Sequence, residues 1–472
     1  MSIFSSGCVL VFTSGGDFCV LGAKNSIGFP WKFSLIALFE DLKDLISQLP
    51  DDILVHMLSF LTLKEAVRTC VLSHRWKHLW PFFSGSLNFD DPDTFWDIAD
   101  EKKKMKFERK KFIKRVNRIL KLLRGSNLDE FRVCFEFDNN FKDLIDGWVD
   151  FAISKGVKRL ELDFSPTEAC EGAKSYTFPH DRFTSVETSV GVSCIESLTS
   201  LTLLYVNVTG ELLEHILSNC PLLERLYVSQ STDLVNLKIW GSSLQLKYLH
   251  ITQCIYFKSI EIYAPNLESF GLVGGIKETQ VNYAPRLLDL HVGGPKPFQY
   301  AICPLSSYLS QLQSLVLNIW ISRMQKLELP TIQTLTNLRH LTLRVLASDR
   351  ESLIGLIPLI EAAPFLQKFT LVLSWGEPMI DRELRKVMKR PNKHLKEVEI
   401  IGFVGRPIDI DLTIYLLESA IKLEKIVITP RCPALLGTPW EFNQIEKNEH
   451  AIKAAKQLKK YLPRGQIRTS WR

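Results

Sequence analysis

His74 and His78 have the spacing that comes nearest to a metal site in this chain: four residues apart, they share one face of a helix, with Cys70 a turn earlier. A closed site needs further ligands, and none sits at a matching interval. The pair therefore reads as surface imidazoles and the thiol as a small packed side chain. Gly271, Gly274 and Gly275 do not make the GxGxxG spacing that cradles a pyrophosphate, and HExxH is absent. The ten cysteines include no CxxC pair, which suits free thiols in a reducing compartment. No catalytic residue, cofactor or metal site is expected.

Recognition chemistry is better represented. From Leu128 onward the chain repeats an apolar residue, two others, an apolar residue, one other and an apolar residue. Copies start at 128, 157, 198, 223, 234, 246, 257, 267, 287, 312, 338, 366, 395 and 423. A strand alternates its side chains between faces, so the apolar positions point into a stack and the residue between the last two points out. That outward row contains Tyr227, His250 and His291. Their rings offer contact area at low entropic cost, and these three are the expected target-binding residues.

The pattern is the leucine-rich-repeat signature, in which each short parallel strand is covered by its neighbours. Late copies lie 25 to 29 residues apart, room for a strand, a helix and two turns, and helical patterns occupy 353–363 and 412–421. Between Leu223 and Leu267 the starts fall 10 to 12 residues apart, too close for helices, whereas alternate copies restore a period of 21 to 23. The middle repeats should thus carry strands on both sides, with Lys238 and Glu261 opposite the outward row. A Ser/Thr-rich insertion, 165–188, is expected to be a surface loop.

Upstream, residues 49–81 hold three short helices. Pro50 precedes Asp51 and Asp52 at a helix start, Thr62 and Glu65 have capping-box spacing, and Ser73 can cap a third helix ending at Pro81. A piece this small is marginal alone, so its surplus apolar surface wants a partner. Leu49-Pro50, Ile53-Leu54, the run from Leu58 to Leu61, and Val71-Leu72-Ser73 with Arg75-Trp76 resemble the F-box, the module that docks on the Skp-type adaptor of an SCF (Skp, cullin, F-box) ubiquitin ligase. The resemblance implies adaptor binding through Leu49, Pro50, Ile53, Leu54, Leu58, Leu61, Val71, Leu72 and Trp76. The first six are expected to be partly exposed.

The last two copies, 393–431, resemble the FBD module of plant F-box proteins with leucine-rich repeats, through Leu395, Val398, Ile400, Gly402, Phe403, Leu416, Leu417, Ala420, Leu423, Glu424 and Ile428. An amphipathic helix at 446–461 is expected to cap the open end. The resulting fold class is α/β: a three-helix F-box followed by a leucine-rich-repeat solenoid of parallel strands, with helices on the convex side and two-sided middle repeats. The divisions are an unassigned extension (1–44), the F-box (45–85), a linker with a capping helix (86–127), repeats (128–392), FBD-like closing repeats with a C-terminal helix (393–461) and a tail (462–472).

The net charge of +6 is local: residues 101–124 hold twelve Lys or Arg against two Glu, so the remainder of the chain is slightly acidic. Phe112, Val116, Ile119 and Leu123 give this helix an apolar face. The basic side reads as a solvated outer face. A nuclear-import signal around Lys102–Lys104 and Arg109–Lys111, or a nucleic-acid or acidic-partner surface, is the functional alternative. No nucleic-acid-binding motif accompanies the charge. The apolar start, 1–40, has no basic residue before Lys24 and is not read as a secretory signal. It is taken as a strand-prone tail or the product of a start site upstream of the natural one. No apolar run is long enough to span a membrane.

The resemblances imply a non-catalytic substrate-recognition subunit of an SCF-type cullin-RING ligase, in the nucleus and/or cytoplasm, with the repeats holding an unidentified protein target. A non-ligase interaction scaffold is the first alternative, and a nucleic-acid-associated protein using residues 101–124 the second.

Overall fold

Burying a leucine contributes about 1.5–3 kcal/mol, and a repeat that places such residues on one face of every strand gains this only by stacking on the next repeat. The computed structural model shows that stack; it describes residues 9–12, 18–21, 46, 48–90, 102–125, 127–166, 174–180, 196–275, 277–294, 302–320, 333–347, 353–375, 384, 388, 390–430, 445–461 and 468–471. All fourteen copies of the pattern are strands. Twelve belong to one parallel sheet that runs, in order, Ser86–Asp90, Glu130–Cys134, Arg159–Asp163, Ser200–Leu204, Arg225–Ser229, Tyr248–Thr252, Ser269–Val273, Asp289–Gly294, Ser314–Trp320, His340–Ala347, Lys368–Trp375, Glu397–Ile401, Lys425–Thr429 and Arg468–Trp471.

The other two copies, Asn236–Trp240 and Ser259–Tyr263, pair in parallel with Glu278–Tyr283 as a second, three-stranded sheet. The middle repeats are two-sided, and no helix lies between residues 229 and 265. Lys238 and Glu261 face each other there at 3.8 Å. A bulge after Ile262 skips Asn282 and sets Tyr283 opposite Tyr263, completing a stack in which Trp240–Tyr263 and Tyr263–Tyr283 centroids lie 5.0 and 5.2 Å apart.

The helices are α1 (Asp51–Ser59), α2 (Leu63–Arg68), α3 (His74–Leu79), α4 (Lys102–Leu122), α5 (Lys142–Ser154), α6 (Gly210–Asn219), α7 (Ile357–Glu361), α8 (Pro407–Ser419) and α9 (Ile445–Gln457). The 353–363 pattern is a 3₁₀ turn followed by α7, and the 412–421 pattern is α8, which begins five residues earlier at a proline. Gly210, at the start of α6, has no room for a side chain: a Cβ there would overlap the Asn236 carbonyl of the second sheet.

Three segments differ from expectation. Residues 86–90 are no linker but the first strand of the main sheet, so α4 is the crossover helix of that first repeat rather than a cap beyond the sheet. Its face is laid on the core by Phe112, Val116 and Leu123, with the Phe112 ring 4.7 Å from Phe135 and 6.5 Å from Trp148. Part of the 165–188 insertion is packed inside: Tyr176 and Phe178 are buried, Tyr176 donates to Asp146 at 2.7 Å, and Tyr176–Thr177 pairs with Val206–Asn207. Its stretches 167–173 and 181–188 lie outside the described residues.

At the far end, α9 and a 3₁₀ turn to Tyr461 bury Ala451, Ala455 and Leu458, but the sheet continues past them, Arg468–Trp471 pairing with Lys425–Ile428. In the N-terminal extension, Val9–Phe12 and Phe18–Leu21 pair antiparallel.

Candidate docking surfaces

The F-box helices are set by their caps. Thr62 N donates to Glu65 Oε2 at 2.9 Å while Glu65 N donates to Thr62 Oγ1 at 3.3 Å, a complete capping box that holds the Glu65 carboxyl below its usual range through the Thr62 backbone and hydroxyl donors. Ser73 Oγ accepts from Trp76 N at the head of α3. Arg75, one of the residues that carry the F-box resemblance, donates to Asp51 Oδ1 from Nε at 2.8 Å and from Nη2 at 2.6 Å, and also to the Leu49 carbonyl. It ties the Leu49-Pro50 turn to α3.

The module is fixed to the solenoid. Arg124 N, just past α4, donates to the Pro81 carbonyl at 2.6 Å, and Trp80 and Phe83 enter the common core. Gly85 allows the backbones to close, since a Cβ there would lie 2.5 Å from the Ser59 carbonyl.

Burial divides the nine expected adaptor residues. Leu54 and Leu58, one turn apart on α1, are 0% exposed, and Trp76 is buried with them, in one core with Ala66, Leu79 and Trp80. The expectation that Leu54 and Leu58 stay partly exposed is therefore corrected: they hold the helices together. Leu49, Leu61 and Leu72 are half-buried, Pro50 is exposed, and Ile53 and Val71 are 43% and 86% exposed. An outer row of Pro50, Ile53, Met57 and Phe60 thus follows α1 at helical spacing, and Val67 on α2 and Val71 just after it are exposed as well. Phe60, 77% exposed, was missed; its i+3 relation to Met57 is the signal that would have found it. His74 and His78 are both exposed on α3, and among the described residues no three metal-ligating side chains converge.

On the concave sheet the structure brings Tyr227, His250 and His291 together. They stand in one register row, with Gly271 between the histidines. The His250 ring lies over Gly271 and meets Tyr227 and His291 edge-on, centroids 6.2 and 6.1 Å away. His250 Nε2 pairs with Ser269 Oγ at 3.1 Å and His291 Nε2 with Asn318 Oδ1 at 3.3 Å. Burial lowers the pKa of both imidazoles, that of His291 to about 4, so both are neutral near pH 7.

Charge frames this row. At one end Arg132 bridges Asp90 and Glu161, each at 2.8 Å, and at the other Lys368 faces Glu399 at 3.6 Å. Between Glu161 and Glu399 the row reads Thr202, Tyr227, His250, Gly271, His291, Val316, Thr342 and Thr370, without a formal charge over about 34 Å at about 4.8 Å per strand. A neutral aromatic and hydroxyl strip with a charged margin has the make-up of a protein interface core and its rim.

Comparison with known proteins agrees with both halves of this geometry. A family model described as At1g61320/AtMIF1, LRR domain, matches residues 119–457, and an F-box domain model matches residues 46–82. Among similar proteins of Arabidopsis thaliana, the FBD-associated F-box protein At4g10400 is 27% identical over 419 residues, 82% of this chain and 92% of that one. F-box/LRR-repeat protein 25 is 31% identical over 235 residues, 48% of this chain and 83% of the relative, and F-box/LRR-repeat protein At3g03360 is 30% identical over 253 residues, 50% and 48%. With an F-box whose outer apolar row is open and a repeat sheet that the family model covers for most of its length, the chain belongs to the plant F-box/leucine-rich-repeat family, with FBD-associated members among its relatives.

Proposed function

We propose that this protein is the substrate-recognition subunit of an SCF-type ubiquitin ligase: the outer row of the F-box docks on a Skp-type adaptor, and the neutral concave strip holds a protein target. The observation that carries the reading is that neutral strip, on a repeat sheet whose core continues into an F-box with an open outer row. The chain breaks no bond in this scheme. It contributes proximity, raising the effective concentration of target lysines near the charged conjugating enzyme. The nucleus, the cytoplasm or both are the compartments for this work, and the unpaired thiols of Cys70, Cys134, Cys220, Cys254 and Cys303 suit a reducing one.

Proximity labelling with the intact chain and with a variant carrying Leu49→Ala and Pro50→Ala tests the reading. Adaptor labelling should fall in the variant while target candidates remain. Target candidates that accumulate when the proteasome is blocked identify a ligase receptor; candidates whose abundance does not change identify a non-ligase scaffold. Undiminished adaptor labelling by the variant rejects the assigned docking surface.

A further inference from the structure

One feature of the chain plays no part in that scheme: the cationic face of α4. Among the described residues, Lys106, Lys110, Lys114, Arg118 and Lys121 are exposed and make no ion pair, at steps of four, four, four and three that keep them on one side of the helix. At about 1.5 Å per residue the stripe is about 22 Å long. Arg109 is not part of it, being held by Glu136 and lying over the Phe141 ring. So little acid compensates the stripe that its charge is left for something outside the chain.

Position says what that is. The helix ends against the last turn of the F-box, where Arg124 N bonds the Pro81 carbonyl and a Cβ on Gly125 would sit 3.0 Å from the Phe82 and Phe83 carbonyls. The stripe therefore starts beside the F-box and leads away along the first repeat. The F-box itself exposes Lys64, Arg68 and Lys77. The outer row ends at Phe60, and the Ser59 carbonyl beside it packs on Gly85, so the row and α4 end at the same turn.

We propose that the cationic face of α4 is a second contact for the adaptor, taking an acidic surface of the protein that the F-box row docks. The inference rests on the proposed adaptor binding. It assigns the two contacts different physics: apolar burial at Ile53, Phe60 and Val71, and salt-sensitive attraction along α4 that speeds and orients docking. A nucleic acid is disfavoured as occupant because this helix exposes a single aromatic, Phe107, too few for a base-stacking platform, and the Lys111 ammonium lies 4.3 Å from its ring centroid.

The test measures binding of the full chain to the purified Skp-type adaptor at about 50 mM and about 300 mM NaCl, where screening differs strongly. Two variants are compared with the parent: Lys106→Gln, Lys110→Gln, Lys114→Gln, Arg118→Gln and Lys121→Gln together, and the same positions changed to Glu, each checked for an unchanged thermal melt. A third variant, Val71→Ser, probes the apolar row. The expected result is a loss on the order of tenfold for the Gln variant at low salt, a larger one for the Glu variant, and a flattened salt dependence for both. Should the Glu set melt early, the Gln set decides. Parent-like affinity and salt slope in the Gln variant, with binding still lost in Val71→Ser, overturn the α4 contact and leave the F-box reading intact. No adaptor binding by the parent at either salt overturns both. Tight binding of a single-stranded RNA probe that the Gln variant loses, with adaptor affinity unchanged, reassigns the face to nucleic acid.

Discussion

Arg75 on α3 and Asp51 on the first turn of α1 are 24 residues apart in sequence and joined by two hydrogen bonds of 2.8 and 2.6 Å, while the same guanidinium holds the Leu49 carbonyl. The pair is open to solvent, so it adds only about 0–1 kcal/mol to stability. Its effect is positional, because it fixes the turn that presents Pro50 and Ile53. Arg75→Ala should leave the thermal melt nearly unchanged and weaken adaptor binding on the order of tenfold, about 1.4 kcal/mol. Lysine cannot reproduce the forked geometry, so Arg75→Lys should recover only part of the affinity in the same assay.

Val71 and Leu58 make opposite predictions from similar chemistry. Val71 is almost fully exposed, so Val71→Ser should change stability by no more than about 0.5 kcal/mol and reduce adaptor capture. Leu58 has no exposed surface, and Leu58→Ala leaves a cavity expected to cost about 2–5 kcal/mol. Denaturant unfolding should register the second substitution and miss the first. Adaptor binding normalised to folded protein should register the first.

These two residues also mark how far the sequence could be read. Caps and the repeat strands were legible because each rests on local chemistry or on a strict period, whereas helix bounds were not, α8 beginning five residues before its apolar pattern. Which apolar residues of α1 face inward was not, since Ile53, Leu54, Met57 and Leu58 are all apolar and only tertiary packing separates them. The missed strands fail the pattern for specific reasons. In Ser86–Asp90 the leading apolar position falls on Ser84, and the neighbouring Phe83 is buried instead. In Glu278–Tyr283 a buried threonine, Thr279, stands where leucine is usual, and Thr469 pairs with Ile426 in the last strand. On the concave face Tyr227, His250 and His291 were readable from alternation alone. Their contact across Gly271 was not, because it depends on how the ring turns.

Acid should expose the histidine row. The unfolded chain protonates His291 near pH 6.5, whereas burial holds the folded imidazole neutral down to about pH 4, with the His250 and Arg344 charges acting in the same direction. Between those values the unfolded state binds more protons, so stability falls as pH drops through this window and is regained above it. At about 1.4 kcal/mol per pKa unit the loss is at most about 3.5 kcal/mol. Urea unfolding at intervals from about pH 4 to about pH 8 should show this slope, and His291→Gln should flatten it. A slope unchanged by the substitution would assign the proton uptake elsewhere.

Gly271 is where the row is most sensitive to added volume. A Cβ built there lies 2.6 Å from His250 Cγ and 2.8 Å from Nδ1, closer than any relaxed contact, and the ring it strikes is itself wedged between Tyr227 and His291. The ring cannot keep its place. Gly271→Ala should therefore cost about 1–3 kcal/mol as an overpacking change and turn His250 toward solvent, breaking its contacts with both Ser269 and His291. The freed imidazole loses the burial that lowers its pKa, so its proton resonances should titrate closer to pH 6.5 than in the parent chain. The paired substitution His250→Ala removes the obstructing ring and should restore stability to Gly271→Ala; a double variant no more stable than Gly271→Ala alone would mean that the backbone, and not the ring, sets the requirement for glycine.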